Sequence, residues 1–233
     1  ALPAANAAVI SREMARGAAF RLENRAIFSP MPVAGGAGNG VHVHFSLHDA
    51  SGAPVTSDPS GPMGLSAVAA QFAAGVLHHL PALCAVTAPS PVSYLRLVPD
   101  RWAPTVADIK LQDREAALRV CPVFDAAGEE QRQAQFNIEF RVCDAAASPY
   151  MALGAIIFAG ADGIARELKF PETEAPLPAS LGAALDLMDA SEAMKSYFGP
   201  VFFEAYMRHK RSEAAYLADL PEEELCARYA EVY

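Results

Sequence analysis

Hydrophobic positions recur with the period of an α-helix over three long parts of the chain. Near the start, Val9, Ile10 and Met14 fall on one helical face, and Pro3 suits the first turn of that helix. Two later segments are almost entirely apolar, which is typical of helices buried on several sides. The predicted helices cover 3–19, 64–87 with an interruption at Pro81, 149–168, and three amphipathic segments between a link at 169–178 and Tyr233.

A period of two residues predicts the strands. Between positions 41 and 48, apolar residues alternate with His42, His44, Ser46 and His48, which predicts a strand with one polar face. Shorter strand-like runs occupy 26–31, 94–98, 116–122 and 136–142. Because the strands mostly precede the terminal helices and are not spaced as βαβ units, we predict an α+β fold with a largely antiparallel sheet.

The composition limits the class of protein. With 233 residues, 52% of them hydrophobic, the chain can form a sizeable core and is not disordered. Its 27 acidic residues exceed its 18 basic ones, and this net charge of −9 argues against a nucleic-acid partner. The longest apolar stretch, 150–164, is shorter than the roughly 20 residues of a membrane-spanning helix. No signal peptide pattern opens the chain, and four scattered cysteines favour a reducing compartment. We therefore expect a cytoplasmic protein with no membrane partner.

A glycine-rich loop at 34–40 leads directly into the histidine-bearing strand. Strand geometry points His42 and His44 to the same side, where neutral imidazoles could bind a metal or a phosphate. A solvent-facing strand that happens to carry histidines is the alternative interpretation. His78 and His79, in the second predicted helix, are interpreted as a pair on the helix surface.

Arginine supplies most of the positive charge, with 14 arginines against 4 lysines. Arg96, Arg114, Arg119 and Arg141 lie in or beside apolar, strand-like sequence, where a charge is costly unless it is paired. A guanidinium matches carboxylate and phosphate oxygens, so this set suits an anionic substrate. Ordinary salt bridges with nearby acidic residues are the competing explanation.

Alternation along 137–141 places Glu139 and Arg141 on one strand face, opposite Ile138 and Phe140. The two charged side chains form either a structural ion pair or a metal ligand beside a substrate clamp.

Four ordered motifs together resemble those of the glutamine synthetase family. Residues 32–46 resemble its ATP-binding signature, a glycine loop followed by G-x-H-x-H-x-S. Residues 93–99 are similar to its N-S-Y-x-R-L-V-P segment, and residues 113–122 to N-R-S-x-x-x-R-I-P. Residues 138–153 are similar to I-E-x-R-x-x-D followed by N-P-Y-L-A. The resemblance implies the catalytic-domain fold that the family shares with guanidino kinases, a curved, largely antiparallel sheet flanked by helices.

The resemblance also implies roles for the polar strand residues. His42 and Glu139 match the ligands of a divalent metal, Mg²⁺ or Mn²⁺, that bridges the ATP phosphates. His44 and Ser46 match residues that line the nucleotide site.

The resemblance also implies roles for four of the arginines. Arg96 and Arg141 match the arginines that hold the glutamate carboxylate and the transferred phosphoryl group, and the resemblance implies that Gly38 also binds the substrate. Arg114 and Arg119 match arginines that contact the ATP phosphates, with Arg114 counted among the catalytic residues.

The implied reaction joins L-glutamate to ammonia or a larger amine. ATP first phosphorylates the γ-carboxylate, and the amine then displaces phosphate to leave an amide. The resemblance further implies a homo-oligomeric ring with active sites between subunits. A catalytically inactive relative with a structural or assembly role is the alternative, although the presence of the matched histidine, glutamate and arginines argues against it.

Trp102 departs from the pattern of the ammonia-using members. Those members carry a flap glutamate at this position, which shields the intermediate and takes a proton from ammonium. A neutral indole cannot act as that base but can pack against an alkyl or aryl amine, so Trp102 favours the γ-glutamyl–amine ligases and is expected to bind substrate.

The resemblance identifies residues 1–233 as the C-terminal catalytic domain, with 171–233 as its helical part. The family's N-terminal β-grasp domain and first catalytic strands, which carry the second metal site, are expected to lie before Ala1. The chain alone is therefore expected to be inactive.

Overall fold

The computed structural model describes residues 1–124 and 128–233. The helices are α1 (Leu2–Arg21), α2 (Ala67–Thr87), α3 (Ser93–Arg96), α4 (Glu129–Gln135), α5 (Pro149–Ala165), α6 (Leu181–Asp189), α7 (Glu192–Phe198), α8 (Pro200–Tyr216) and α9 (Glu222–Val232). The strands are β1 (Val43–Phe45), β2 (Val106–Ala107), β3 (Ile109–Leu111), β4 (Leu118–Val120), β5 (Ile138–Phe140) and β6 (Ala175–Pro176). The predicted α+β class is confirmed.

The main sheet has the strand order β1-β5-β4-β3. The β1–β5 and β4–β5 pairs are antiparallel and the β3–β4 pair is parallel, so the sheet is largely antiparallel as predicted. A second, two-residue pairing joins β2 to β6, also antiparallel. The central strand β5 is buried along its whole length and positions the polar residues described below.

The core is built around α2, which packs against α5 and α6. Ser66 begins α2 by accepting a hydrogen bond from the backbone N–H of Ala69. Glycines bring α2 and α5 into backbone contact, because a Cβ added to Gly163 would fall 2.6 Å from the Gly75 Cα. The helix runs through Pro81 without the predicted interruption.

By length and composition α2, with 21 residues, is long and apolar enough to span a membrane, whereas the sequence pointed to 150–164 as the longest apolar stretch. In this fold, however, 67% of its most apolar window is buried by other elements. That burial is typical of the core helix of a globular domain.

His79 corrects one prediction, since it is 6% exposed and does not lie on the surface. Its Nε2 lies 2.8 Å from the Asp162 carboxylate on α5, which also accepts a hydrogen bond from Arg166. A buried imidazole needs such a partner, so the contact joins α2 to α5. Its neighbour His78 is exposed, as expected.

The segment 26–31 is irregular, whereas a strand was predicted there. Its backbone finds other partners, since the Phe28 N–H donates to the Tyr233 carbonyl and the Pro30 carbonyl accepts from Asn39. Pro30 and Pro32 have no N–H with which to extend a strand ladder.

Residues 94–98 do not form the predicted strand either, because Ser93–Arg96 is a single helical turn. It is held in the core by the Tyr94 hydroxyl, which donates to the Cys84 carbonyl.

The C-terminal part holds four helices, α6 to α9, instead of the three predicted. Ser191 begins α7 by accepting from the Met194 N–H, and Gly199, at φ +68°, separates α7 from α8. These two residues mark helix boundaries that the three predicted segments did not specify. The apolar side chains of α6 to α8 join the same core as α2 and the main sheet.

Candidate active site

A cleft of about 380 Å³ lies between the glycine-rich loop (34–40), strand β5 and the segments that follow α3 and β3. Five arginines and one carboxylate line it, so positive charge dominates its interior. All the predicted site residues except His44 and Ser46 line this cleft. The lining residues are Gly38, Gly40, His42, Arg96, Arg101, Trp102, Arg114, Arg119, Glu139 and Arg141.

Strand register sets the centre of the cleft. Glu139 on β5 lies directly between His44 on β1 and Arg119 on β4. Residues paired across strands share a face of the sheet, so the three polar side chains form one row. Ile138 and Phe140 point to the opposite face and are fully buried in the core. The alternation predicted for β5 is therefore confirmed.

Glu139 is 3% exposed and is surrounded by cationic and imidazole groups. Its Oε2 accepts a hydrogen bond of 2.9 Å from Arg119, and its Oε1 accepts one of 2.6 Å from Arg141. Burial opposes ionisation, but the two arginines outweigh it and hold the pKa of Glu139 below its usual value. The carboxylate is therefore charged at neutral pH.

His42 lies beside the same carboxylate, with Nδ1 2.8 Å from Glu139 Oε1. Burial, reinforced by the Arg141 guanidinium, lowers the pKa of His42 to about 4. The imidazole is consequently neutral at pH 7 and keeps a nitrogen lone pair for a metal.

The pair His42 and Glu139 fits part of a divalent-metal site, because a nitrogen and a charged oxygen donor converge there. Within residues 1–124 and 128–233, no group of three or more His, Cys, Asp or Glu side chains could hold a metal by itself. Mg²⁺ commonly binds through one or two protein ligands, with waters and substrate phosphates completing its shell. The two residues would thus be this chain's contribution to such a site.

Arg141 ties three segments together. Its Nε donates to the Arg114 carbonyl at 3.0 Å, its Nη2 to the Trp102 carbonyl at 3.1 Å, and its Nη1 to Glu139. The side chain is 5% exposed and its donors are engaged by the protein. Arg141 therefore shapes the cleft as well as charging it.

Arg96 is also buried, at 3% exposure, and donates to the Val142 carbonyl. Burial lowers the pKa of Arg96, and the Asp144 carboxylate 3.9 Å away opposes that shift. A Cβ added to Gly38 would fall 2.6 Å from the Arg96 Cγ. The loop thus needs glycine at Gly38 to lie against this arginine.

Arg114 differs from the other cleft arginines because it is exposed. No side chain or carbonyl in the described parts of the chain accepts a hydrogen bond from its guanidinium. Arg119 is intermediate in exposure between Arg114 and the buried Arg141, with 15% of its side chain exposed. Its buried Nε has no hydrogen-bond partner among the described residues. Arg114 is consequently placed to bind an anion that enters from solvent.

Trp102 stands at the mouth of the cleft with 72% of its surface exposed. Its φ is +52° and that of Asp100 is +62°, in the left-handed region that costs non-glycine residues about 1–2 kcal/mol each. Backbone strain of this kind is typical of functional sites. The side chain of Arg101, between them, donates to the Gly36 carbonyl at 2.5 Å.

His44 and Ser46 lie further along the histidine-bearing strand, outside the cleft lining. His44 Nδ1 lies 2.9 Å from the Asn137 amide oxygen, and the Ser46 hydroxyl lies 3.3 Å from His48 Nε2. Both side chains are exposed, so they are accessible to a ligand. Their nucleotide-binding role stays a prediction.

Sequence reasoning did not single out Arg101, which lines the cleft, or Cys121, which lies beside His44 next to it. Arg101 belongs to the arginine-rich region but follows no periodic pattern that would single it out. Cys121 Sγ lies 3.7 Å from His44 Nδ1. Cys121 follows Arg119 by two positions, just after β4 ends, and this spacing would have indicated that both side chains lie on the same face. Burial and the Glu139 charge raise the pKa of Cys121, which keeps the thiol protonated.

Comparison with known proteins agrees with the motifs. The family model described as glutamine synthetase, catalytic domain, matches residues 1–229. A gamma-glutamylpolyamine synthetase of Streptomyces coelicolor is 35% identical over 97% of this chain and 51% of its own length. A glutamine synthetase of the same organism is 33% identical over 91% of this chain and 47% of its own.

Among solved structures, a crystal structure of a novel glutamine synthase homolog superposes with a TM-score of 0.92 and 43% identity. The match covers 99% of this chain and 54% of that one. The chain thus spans about half the length of the relatives it matches.

Proposed function

Because the chain belongs to the glutamine synthetase family, we propose that it forms a γ-glutamyl amide from L-glutamate and an amine at the expense of ATP. The observation that carries this proposal is the position of Glu139, held between His42, Arg119 and Arg141. The most exposed arginine of the same cleft, Arg114, has no hydrogen-bond partner for its guanidinium among the described residues. Both proposed co-substrates are anions, and a cleft of arginines reduces the repulsion between them.

In the first step, a γ-carboxylate oxygen of glutamate attacks the γ-phosphorus of ATP. The bond from that phosphorus to the bridging oxygen breaks, ADP leaves, and γ-glutamyl phosphate is formed. Arg114 and Arg119 have guanidinium groups that can offset charge on the transferred phosphoryl group. Arg96 supplies a buried positive charge beside the glycine loop, where the resemblance to the family leads us to expect the glutamate carboxylate.

In the second step, an uncharged amine attacks the acyl carbon. The carbon–oxygen bond to phosphate breaks, inorganic phosphate leaves, and the nitrogen gives up a proton to leave a neutral amide. Water would compete with the amine for the same carbon, so the cleft mouth has to exclude it. Trp102 is the large side chain at that mouth.

His42 and Glu139 would hold Mg²⁺ or Mn²⁺, which supplies Lewis-acid neutralisation of phosphate charge when bound. The protein's part is to keep Glu139 ionised and His42 neutral, and the surrounding arginines and burial do both.

The proposed amine is larger than ammonia. By the motif resemblance, Trp102 corresponds to the flap glutamate of ammonia-using members, and an indole offers an apolar face but no proton acceptor. The relatives named above include both a polyamine synthetase and a glutamine synthetase at similar identity, so overall similarity does not choose between the two classes. Ammonia is the alternative co-substrate.

The experiment is phosphate release by the full-length natural protein with ATP, Mg²⁺, glutamate and a panel of amines. We expect alkyl amines or polyamines to support faster release than ammonia. Phosphate release with ammonia alone would overturn the larger-amine proposal. The variant Trp102→Glu, which restores a carboxylate at the cleft mouth, is expected to gain ammonia use relative to wild type.

The remaining proposals concern the whole protein. We propose a cytoplasmic homo-oligomer, a ring whose active sites lie between subunits, with neither nucleic acid nor membrane among its partners. The net charge of −9 supports the exclusion of nucleic acid. Size-exclusion chromatography with light scattering of the full-length natural protein tests the ring, and a monomer would contradict it.

A further inference from the structure

The segment that joins α3 to β2 carries Trp102 over the cleft; residues 99–104 are here named the Trp102 loop. Its C-terminal end is fixed, because Ala103 is 4% exposed and belongs to the core. Trp102 itself is exposed, so core packing does not determine where the indole lies. Other contacts must position it.

Within the described parts of the chain, two hydrogen bonds hold the Trp102 loop. On the inner side, the Arg141 guanidinium donates to the Trp102 carbonyl at 3.1 Å. On the outer side, Arg101 Nη1 reaches across to the Gly36 carbonyl at 2.5 Å. The glycine-rich loop around Gly36 bears only hydrogens and methyl groups from 34 to 38, which leaves its carbonyl open to a guanidinium.

The backbone on both sides of Arg101 is left-handed, at Asp100 and at Trp102. Non-glycine residues keep such a conformation only where surrounding contacts restrain them. The Arg101 bond restrains the middle of this strained stretch, and the Arg141 bond restrains its end.

We propose that Arg101 is a positioning residue that ties the Trp102 loop to the glycine-rich loop and thereby fixes the indole at the cleft mouth, where the amine enters. The amine part of this inference rests on the function proposed above, whereas the tie itself does not. Arg101 acts through Trp102 and needs no contact with the reacting atoms.

Trp102 is the single tryptophan of the 233 residues, so the tryptophan fluorescence of this chain, excited where its seven tyrosines do not absorb, reports on this one position. We expect Arg101→Ala to increase the amplitude of nanosecond indole motion roughly twofold, seen in time-resolved anisotropy. Arg101→Lys keeps a charged donor and should recover most of the wild-type anisotropy. Arg228→Ala is the matched control, since Arg228 is an exposed arginine that bonds to the Tyr216 hydroxyl outside the cleft.

An Arg101→Ala anisotropy equal to that of wild type and of the control would overturn the proposal. If Arg101→Ala does not fold, as judged by circular dichroism, Arg101→Gln carries the same expectation, because its shorter side chain also loses the reach to Gly36. Neither measurement requires turnover, so a protein without ligase activity would still show the tie.

In the full-length natural protein, Arg101→Ala is expected to raise KM for the amine roughly tenfold, while KM for glutamate stays close to wild type. Arg101→Lys should again restore the wild-type value. An equal rise in both KM values would indicate direct substrate binding by Arg101 and would overturn the positioning role. Absence of any ligase activity in wild type would contradict the proposed function and leave the fluorescence result to decide the tie.

Discussion

The α2–α5 helix pair and the cleft each contain a histidine–carboxylate contact of 2.8 Å, but the two contacts have different surroundings. His79 is buried between helices, and its partner Asp162 has one further cation, Arg166, at the surface. His42 and Glu139 instead face an open cleft crowded with guanidinium groups. The same pair of residue types joins two helices in one region and, in the other, provides the two donors of the proposed metal site.

Glycine also serves the two regions differently. Gly75 and Gly163 allow two helix backbones to touch, with no space left between them. Gly38 and Gly40 instead make room for the side chains of Arg96 and His42. Function therefore depends on an accessible cavity and on net local charge, which a motif of two residues does not specify.

The largest expected effect breaks the helix pair. In Gly163→Leu, the new Cβ would lie 2.3 Å from the Gln71 carbonyl oxygen and 2.6 Å from the Gly75 Cα, so α2 and α5 must separate. We expect the free energy of unfolding to fall by about 3 kcal/mol or more, and calorimetry should show a large decrease in Tm. Gly17→Ala on α1 is the matched control, since no atom of the described residues lies within 4 Å of its added Cβ. The control should be stabilised by about 0.5–1 kcal/mol, and similar Tm values for the two variants would contradict the contact.

The second prediction removes the charge at the centre of the cleft. Glu139→Gln keeps the shape of the side chain but leaves the Arg119 and Arg141 guanidiniums without a carboxylate. We expect kcat of the full-length natural protein to fall by about 100-fold or more, and Mn²⁺ binding measured by electron paramagnetic resonance to weaken.

Glu129→Gln on α4 provides the comparison for that loss, because Glu129 is an exposed glutamate outside the cleft. It should bind Mn²⁺ and turn over like wild type. Unchanged Mn²⁺ affinity in Glu139→Gln would contradict the assignment of Glu139 as a ligand.

The third and smallest prediction concerns the helix-pair contact. Asp162→Asn weakens the partner of a buried histidine, and we expect a loss of about 1–3 kcal/mol at pH 7 in urea unfolding. Burial raises the pKa of Asp162, but hydrogen bonds from His79 and Arg166 outweigh it and hold that pKa below its ordinary value of 3.8. A depressed carboxylate pKa stabilises the fold above the unfolded value, and this contribution is lost as pH falls through the folded value.

Wild type and Asp162→Asn should therefore converge in stability in acid below about pH 3.8. Asp186→Asn is the control, since Asp186 pairs with Arg211 at 70% exposure and surface pairs contribute about 0–1 kcal/mol. A pH-independent difference for Asp162→Asn would show that its charge is not what stabilises the helix pair.

Helix and strand patterns predicted most of the architecture, because α2, α5 and β5 each bury a continuous or alternating apolar face. The strands predicted at 26–31 and 94–98 were wrong. An apolar run this short shows no periodicity that would distinguish a strand from a turn or a loop. Their conformation is decided by tertiary partners such as the Tyr233 carbonyl.

Most of the site could be predicted from its motifs, because β-strand register places Glu139 and Arg119 on one face once the strands are aligned. The position of Arg101 could not, because its partner Gly36 lies 65 positions away and the bond is to a backbone carbonyl. Every residue type has a backbone carbonyl, so the sequence does not indicate which carbonyl accepts a hydrogen bond. For the same reason, the sequence did not predict that Arg141 links three segments, because two of its acceptors are backbone carbonyls.

The most direct test of the proposed chemistry follows the oxygen of the acyl phosphate. The full-length natural protein would be given ATP, Mg²⁺, the best amine of the panel and glutamate labelled with ¹⁸O in its γ-carboxylate. Because a γ-carboxylate oxygen becomes the oxygen between carbon and phosphorus, we predict that released phosphate carries one ¹⁸O atom, detected by mass spectrometry. Unlabelled phosphate formed alongside the amide would contradict a γ-glutamyl phosphate intermediate.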